Sequence, residues 1–600
     1  MEQGFLAGLK ARIFRFIDKW TQEKTMLVLI FVAATIIRAI PGWMNAAWGS
    51  DFGIYYGITK DFAENPELFR PYSGWGSLYN YFPVLYVFVA FLHYVTGAEI
   101  VWLLPRITPI FGGLAVLVFY FIAREITDNK NMALLAAAFL AANPFHIYQT
   151  SHAAPMTVGH FFMILCLFLF IRKKKTVTSI GALYACSILL VASHHLTTFF
   201  YLITIVFMTF YRNFISDKWT KDLKWDIVYL VYFSALTFLY WMLIATPLYR
   251  DALSSGLLVP SWAVVVLFYV GIIVLFLLVI LKRRYFSNKK REVIIRLDIG
   301  PSLFVSLVII STFVIIFSFV AIPNTGFTFD KTAVIFLVPT TLAVGFAVFG
   351  MSVIKGEREK GITMGWLYPL FISLILTTVT WHAALFPFRH LEYIAYPMAI
   401  LSGLGAYAYW ERLKDRESEK VPVSRKWLTP KSFGYLVAII LALSLISAYA
   451  VQRTTSGYEE SISDEVFNIV SWMGGNITGA NFTVASDHRI SQILWAEGYN
   501  ATSDDAYIIW FSTNWTESVE ELETVNYSKP QIRYLLIDHV MRYEGIQSNI
   551  NETPRNMTPE MYGKFAQPPF ELLHRSESPE GEKWAEIYEV DWDYIENNRP

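Results

Sequence analysis

Residues 82–95, FPVLYVFVAFLHYV, decide how the rest of the chain is threaded. The run is apolar enough for a membrane, but as a helix rising 1.5 Å per residue it extends only about 21 Å. That falls short of a hydrocarbon core roughly 30 Å thick. Counted as a crossing, it inverts every segment that follows. Read as a helix lying along the interface, it leaves apolar runs of spanning length near 26–43, 104–123, 132–150, 155–171, 177–193, 195–211, 226–246, 260–281, 301–322, 332–354, 362–384, 393–410 and 432–451. Arg124 with Lys130, Arg172 to Lys175, Lys218 with Lys221 and Lys224, Lys282 to Arg284, Lys355 with Arg358, and Arg412 with Lys414 then share one face. The positive-inside rule makes that face cytoplasmic. Lys10, Arg12, Arg15, Lys19 and Lys24 precede the first run, and no small-residue cleavage site follows. This predicts a retained signal anchor with a cytoplasmic N-terminus.

Composition agrees with a chain solvated mostly by lipid: 55% of residues are hydrophobic and 17% aromatic, well beyond a soluble domain. The net charge of zero conceals a separation, because acidic residues outnumber basic ones by about two to one after residue 452. No basic patch suits a nucleic-acid partner. Cys166 and Cys186 both lie in apolar runs, so the outer part has neither a disulfide framework nor a cysteine metal site. Asn476, Asn481, Asn500, Asn514, Asn526, Asn551 and Asn556 each open an N-x-S/T triplet, and none occurs before residue 453. Such clustering fits a glycosylated outer face, although an Asn- and Thr-rich domain also generates triplets by chance.

The predicted fold class is therefore a polytopic α-helical membrane protein of about thirteen transmembrane helices with a C-terminal extracytoplasmic mixed α/β domain. Residues 1–452 form the transmembrane module, with a long first external loop at 41–81 and the interfacial helix at 82–95; residues 453–600 form the outer domain. Within it the runs 482–485, 507–511, 534–537 and 587–590 read as strands and 464–473 as an amphipathic helix.

One carboxylate stands out. The first external loop carries WGSDFGIYY at 48–56, so Asp51 follows a spanning run directly and is succeeded by Tyr55, Tyr56, Lys60, Tyr72, Trp75, Tyr79 and Tyr81. A carboxylate can accept a proton from an acceptor while aromatic faces pack on pyranose C–H surfaces. The same residues also suit an interfacial aromatic belt with Ser50 or Asp51 as a helix N-cap. Residues 148–161 hold His152 and His160 without a carboxylate, a pattern for hydrogen bonding more than for a metal. His194 and His195 interrupt an apolar run near the outer boundary, where imidazoles can contact a sugar or phosphate or satisfy a kinked backbone.

The layout resembles the GT-C superfamily of polyprenyl-phosphate-dependent glycosyltransferases. The features are an acidic residue just beyond the first helix, a surface helix opening Tyr81-Phe82-Pro83, and PRITPIFGG at 105–113. The last is similar to a run in protein O-mannosyltransferases. The helix count with a terminal outer domain resembles the catalytic subunit of oligosaccharyltransferase. The resemblance implies that Asp51 is the catalytic base, a metal ligand, or both, and that Arg106 is the arginine at the outer end of the second helix. It further implies that Arg389, in FPFRHLEY at 386–393, meets the donor phosphate, since a guanidinium fork fits phosphate bidentately. Arg389 also suits a snorkelling residue paired with Glu392.

Tyr55, Tyr56, Trp75, Tyr81, His152, His194, His195, His390 and Glu392 complete the candidate sugar and acceptor site. Two departures bear on the acceptor. The Trp-Trp-Asp-Tyr-Gly signature of oligosaccharyltransferases is absent, the comparable place reading ILWAEGY at 493–499, and the loop at 324–331 is short where those enzymes have a long mobile one. The resulting expectation is an inverting single displacement from a dolichyl- or polyprenyl-phosphate sugar to a hydroxyl of a glycan, lipid or protein at the outer face of the cell membrane. No nucleotide is needed, and the cofactor the sequence leaves open is a divalent Mn or Mg, with Asp51 and His152 as candidate ligands. Oligosaccharyltransferase-like transfer to Asn and a polar-lipid transporter are the rival functions, and a sequon-rich, cysteine-free exterior is associated with archaeal membrane proteins.

Overall fold

The computed structural model describes residues 21–72, 74–253, 259–286, 297–319, 333–380, 385, 387–418, 428–448, 451, 459–477, 482–523, 531–548 and 555–598. The basic cluster Lys10, Arg12, Arg15 and Lys19 and the loop at 324–331 lie outside them, as do the sequon asparagines Asn481, Asn526 and Asn551.

Most of the described chain is helical. Six helices are long and apolar enough to cross a membrane: Gln22–Met44, Ile100–Thr127, His195–Ile215, Leu223–Leu243, Ser261–Tyr285 and Glu357–Val379. Shorter apolar helices, among them Pro155–Ile171, Val177–Val191 and Pro430–Ile446, pack with them. Trp262, Val266, Leu267, Ile273 and Leu277 point outward from the fifth of the six. A continuous apolar surface of that kind is stable in lipid and not in water, so the chain is an integral membrane protein. Inside, Phe119, Phe200, Tyr201, Trp366, Tyr393 and Tyr396 belong to one buried cluster running through the bundle.

Two sequence expectations need correction. The run 132–150 is not one helix: it divides into Lys130–Ala141 and Pro144–Ser151. Pro144 has no N–H to donate and disfavours α geometry at the residue before it. Asn143 is accordingly extended, and its Oδ1 accepts from the His146 amide at 3.0 Å, capping the second piece. The break redirects the segment that carries Tyr148, Gln149 and His152. The second correction is at Tyr507–Phe511, which forms a helical turn and not a strand. A five-residue apolar run does not distinguish the two by itself; here the Ile508 and Ile509 amides donate to Glu521 Oε2 at 2.6 and 3.1 Å and fix the turn's start.

The segment at 82–95 contains the helix Val84–Thr96, whose Leu85, Tyr86, Val89 and Ala90 are buried. The first three belong to a second cluster, shared with the first loop, with Leu103 and Leu104 of Ile100–Thr127 and with a sheet formed after residue 480. That sheet has five strands in the order β4-β3-β5-β7-β6, where β3 is Thr483–Ala485, β4 Ala501–Thr502, β5 Ile532–Asp538, β6 Phe570–Glu577 and β7 Trp584–Val590. β3 runs parallel to β4 and β5, while β7 is antiparallel to both β5 and β6. A separate two-stranded ladder pairs β1 (Ala47–Trp48) with β2 (Ser461–Ile462), and so ties the segment after Met44 to the C-terminal segment.

The first loop is itself largely ordered into the helix Phe52–Glu64 and the turn Ser77–Tyr81. Phe52–Glu64 lies directly on the helix His488–Ala496. A Cβ at Gly53 would stand 2.6 Å from the Gln492 carbonyl carbon, so only glycine lets the two backbones approach this closely. That contact sets the position of Asp51 against the helix His488–Ala496.

Candidate active site

Asp51 occupies the N-cap position of Phe52–Glu64, yet its side chain makes no capping hydrogen bond. Its Oδ1 instead faces His488 Nε2 at 3.4 Å, and the two side chains remain about a third exposed, at 34% and 28%. Burial pushes the Asp51 carboxyl upward, but the hydrogen bond and charge of His488, with Arg389 and His152 beyond it, outweigh that and hold it below its ordinary value. Burial likewise lowers His488, and the bond and charge of Asp51 reverse this, with help from Asp487 and Asp504, so that its imidazole is held above its ordinary value. Each group of the pair thus favours the charged form of the other.

Around Asp51 stand two phenols, Tyr55 and Tyr79, ring against ring at 5.3 Å. Burial raises both, and the Asp51 charge raises them further. Tyr79 in turn lies 6.1 Å from the His195 ring, and Phe82 lies 5.3 Å from it. His195 Nδ1 is buried without a hydrogen-bond partner among the described residues. Trp75 stacks over His488 at 6.0 Å, with 24° between the planes.

Arg389 begins the helix Arg389–Ser418, and its Nη1 donates to Gln149 Oε1 at 2.7 Å and approaches Met156 Sδ at 3.5 Å. Its charge reaches Asp51, Tyr55 and Tyr79, and also His194 and His195. The carboxylate at 51 and the guanidinium at 389 thus belong to one group of side chains. One turn along, Glu392 is fully buried near His160, Oε1 to Nε2 3.8 Å, and adds its negative charge beside Arg389.

A second pair joins the helix Pro144–Ser151 and the residue after it to the C-terminal segment. His152 Nε2 meets Glu460 Oε2 at 2.9 Å, Tyr148 donates to Glu460 Oε1 at 3.2 Å, and Trp48 lies over the His152 ring at 4.2 Å. The backbone turns here at Gly49, with φ +118°, where a Cβ would meet His152 Cδ2 at 2.8 Å.

Other predicted residues go elsewhere. Tyr56 donates to Glu497 Oε1 at 2.6 Å, beside the Lys60–Glu497 ion pair. Tyr81 offers its carbonyl to the Tyr240 hydroxyl at 2.6 Å. His390 is buried against Ser373 Oγ at 2.8 Å and Phe200 at 4.8 Å. His194 caps its own helix by accepting from the Thr197 amide at 3.3 Å. Arg106 lies over Trp43 and Trp102, donates to the Trp102 carbonyl at 3.1 Å and feels the charge of Asp464; none of these partners belongs to the Asp51 group. His152 and His160 do not converge either, since His160 Nδ1 faces the Tyr396 hydroxyl at 3.0 Å. Among the described residues no three His, Cys, Asp or Glu side chains gather as a metal would require. Asp51 and His152 supply two side-chain donors, and their nearest partners are His488 and Glu460 respectively. Gln149, Glu460 and His488, which did not stand out in the sequence, are the partners that position the site. A buried glutamine after a proline break was the one local signal.

No family model and no curated protein matches the chain. Solved structures do. The archaeal oligosaccharyltransferase AglB from Archaeoglobus fulgidus, in complex with an inhibitory peptide and a dolichol-phosphate, aligns at TM-score 0.55 and 16% identity, over 87% of this chain and 70% of that one. The Archaeoglobus fulgidus oligosaccharyltransferase tethered with an acceptor peptide containing the NVT sequon aligns at TM-score 0.55 and 15% identity, over 87% and 69%. ArnT from Cupriavidus metallidurans in the apo state gives TM-score 0.45 and 12% identity, over 94% and 98%. At these identities the likeness is one of fold.

Proposed function

We propose, from the premise that the chain has the fold of the GT-C membrane glycosyltransferases, that it transfers a sugar from a polyprenyl- or dolichyl-phosphate donor to an acceptor hydroxyl on a glycan, lipid or protein. Asp51 takes the acceptor proton as the hydroxyl oxygen attacks the anomeric carbon. The new C–O bond forms on the face opposite the phosphate, the anomeric C–O bond to phosphate breaks, and the configuration inverts. Arg389 meets the charge that develops on the leaving phosphate. Tyr55, Tyr79, Trp75 and His195 offer ring faces and a hydrogen-bonding nitrogen to the sugar. The observation that carries this reading is the presence, in one group of side chains, of an ionised carboxylate at Asp51 and the Arg389 cation whose charge it feels.

The same reading takes thirteen crossings, a cytoplasmic N-terminus and an extracytoplasmic, N-glycosylated segment at 453–600. Exposed Asn476, Asn514 and Asn556 and half-buried Asn500 support it. The direct test presents the purified protein with a panel of radiolabelled polyprenyl-phosphate monosaccharides and follows label into acceptor. Stereospecific transfer from one donor is expected; absence of transfer or hydrolysis from every donor overturns the proposal.

A second reading is favoured by the fold match to oligosaccharyltransferases, one of them bearing dolichol-phosphate and a peptide. In it a whole glycan passes to an asparagine. A lipid-linked oligosaccharide and a sequon peptide added to the same assay distinguish the two.

A further inference from the structure

We infer that His488, delivered by the outer sheet, is a positioning residue for Asp51, so that the candidate active site is complete only when the segment carrying β3 to β7 is docked on the first loop. The inference rests on the reading of Asp51 as the base.

Two side chains 437 positions apart in sequence meet here, Nε2 to Oδ1, at 3.4 Å. Asp51 is free for the contact because it leaves its own helix uncapped. His488 is held by its backbone and by its neighbours on the helix His488–Ala496. Its backbone amide donates to the Gln547 carbonyl at 2.8 Å. Its neighbour Asp487 caps the Ile490 amide at 3.1 Å and holds Arg489 Nε at 2.8 Å, while Arg489 Nη2 reaches Asp538 Oδ1 at 3.0 Å, all in the buried interior. The imidazole is covered by Trp75 from the first loop. Gln492 brings its amide to 2.6 Å from the same Nε2.

One nitrogen cannot donate to a carboxylate and also accept from an amide NH₂. Gln492 Oε1 is otherwise buried without a hydrogen-bond partner among the described residues, and turning the amide over lets that oxygen share the Nε2 proton with Asp51. The arrangement becomes a forked N–H held between Gln492 and the base. A base held in one rotamer by a fixed donor keeps its lone pair aimed at the acceptor, and misplacement by about 1 Å can cost on the order of 10²-fold.

The test measures kcat and donor KM for His488→Leu, His488→Gln, Asp51→Asn and the His488→Leu/Asp51→Asn double variant of the full-length protein, with thermal midpoints alongside. His488→Leu should lower kcat about tenfold or more while donor KM moves less than about threefold. His488→Gln, which keeps an N–H donor near Asp51, should recover a substantial part of that loss. In the Asp51→Asn background the leucine variant should add nothing, because one residue acts through the other. Equal losses in the leucine and glutamine variants, tracking a lowered thermal midpoint, would assign His488 to folding and end the inference. Wild-type kcat in His488→Leu with a dead Asp51→Asn would end it too, while leaving the function proposed above intact. An active Asp51→Asn overturns that proposal and the inference together.

Discussion

Arg389 Nη1 donates to Gln149 Oε1 across 2.7 Å, joining the start of one long helix to the short helix that the Asn143-Pro144 break sets apart. The guanidinium that reaches Asp51 with its charge is thus aimed by a residue 240 positions earlier in the chain.

Replacing that fork should weaken the donor more than the acceptor. Lysine keeps the charge but loses planar two-point contact with phosphate, so Arg389→Lys is expected to raise donor KM by about tenfold. Gln149→Leu, which only releases the guanidinium, should act in the same direction and more weakly. Donor titrations at saturating acceptor read both. A donor KM unchanged in Arg389→Lys removes Arg389 from the phosphate site.

Asp51→Asn keeps size and shape but cannot take a proton. A positioned base contributes about 10²–10⁴ in rate, so turnover should nearly vanish while the donor still binds. Transfer above about a third of wild type in this variant refutes the assignment of the base.

Gly49 and Gly97 both have positive φ, +118° and +70°, but a Cβ at Gly97 meets nothing within 4 Å. Alanine at Gly97 should therefore carry only the left-handed backbone penalty, of order 1 kcal/mol. At Gly49 it also strikes His152, 2.8 Å away, and displaces that imidazole from Glu460. Gly49→Ala should lower the thermal midpoint more than Gly97→Ala and reduce transfer as well. Equal midpoints for the two variants would show that the His152 contact does not hold the loop.

The Asp51–His488 pair makes the union of loop and sheet depend on pH. His488 is held above its ordinary 6.5, so its contribution is complete below 6.5 and fades as pH rises through the raised value. Asp51 is held below its ordinary 3.8, so its contribution is complete above 3.8 and fades as pH falls through the lowered value. The thermal midpoint of the wild type should exceed that of His488→Gln most between these limits, with the gap closing at alkaline pH. Scanning fluorimetry at pH 5 and pH 9 measures it, and a gap that does not change between them counts against the ion pair.

In the single-displacement reading Asp51 acts as the base without a metal, so chelation should leave transfer within about twofold of its starting rate. A loss on chelation that Mn²⁺ or Mg²⁺ restores would mean that Asp51 is a ligand and would shift weight to the oligosaccharide reading.

Apolar runs, the basic loops and the acidic tail were legible because each is a local property: lipid solvation and charge sorting act on consecutive residues. Asp51 was legible for a similar reason, being a lone carboxylate among aromatics directly after a spanning run. Its alternative role as a helix cap was equally legible, and the structure removes that one, by turning the carboxylate toward His488 instead of its own helix. The break at Asn143-Pro144 was written in the proline but masked by the apolarity around it. Arg106 shows the reverse, a residue in a suggestive motif whose side chain packs on Trp43 and Trp102.

What tertiary structure alone decided is which distant residues become neighbours. His488, Glu460 and Gln149 have ordinary surroundings in sequence. They enter the site because β1 pairs with β2, because Gly53 admits Gln492, and because a broken helix swings Gln149 beneath Arg389. Such meetings depend on how closely packed elements approach one another, a quantity fixed by the shape of every contacting side chain at once and by no single stretch of chain.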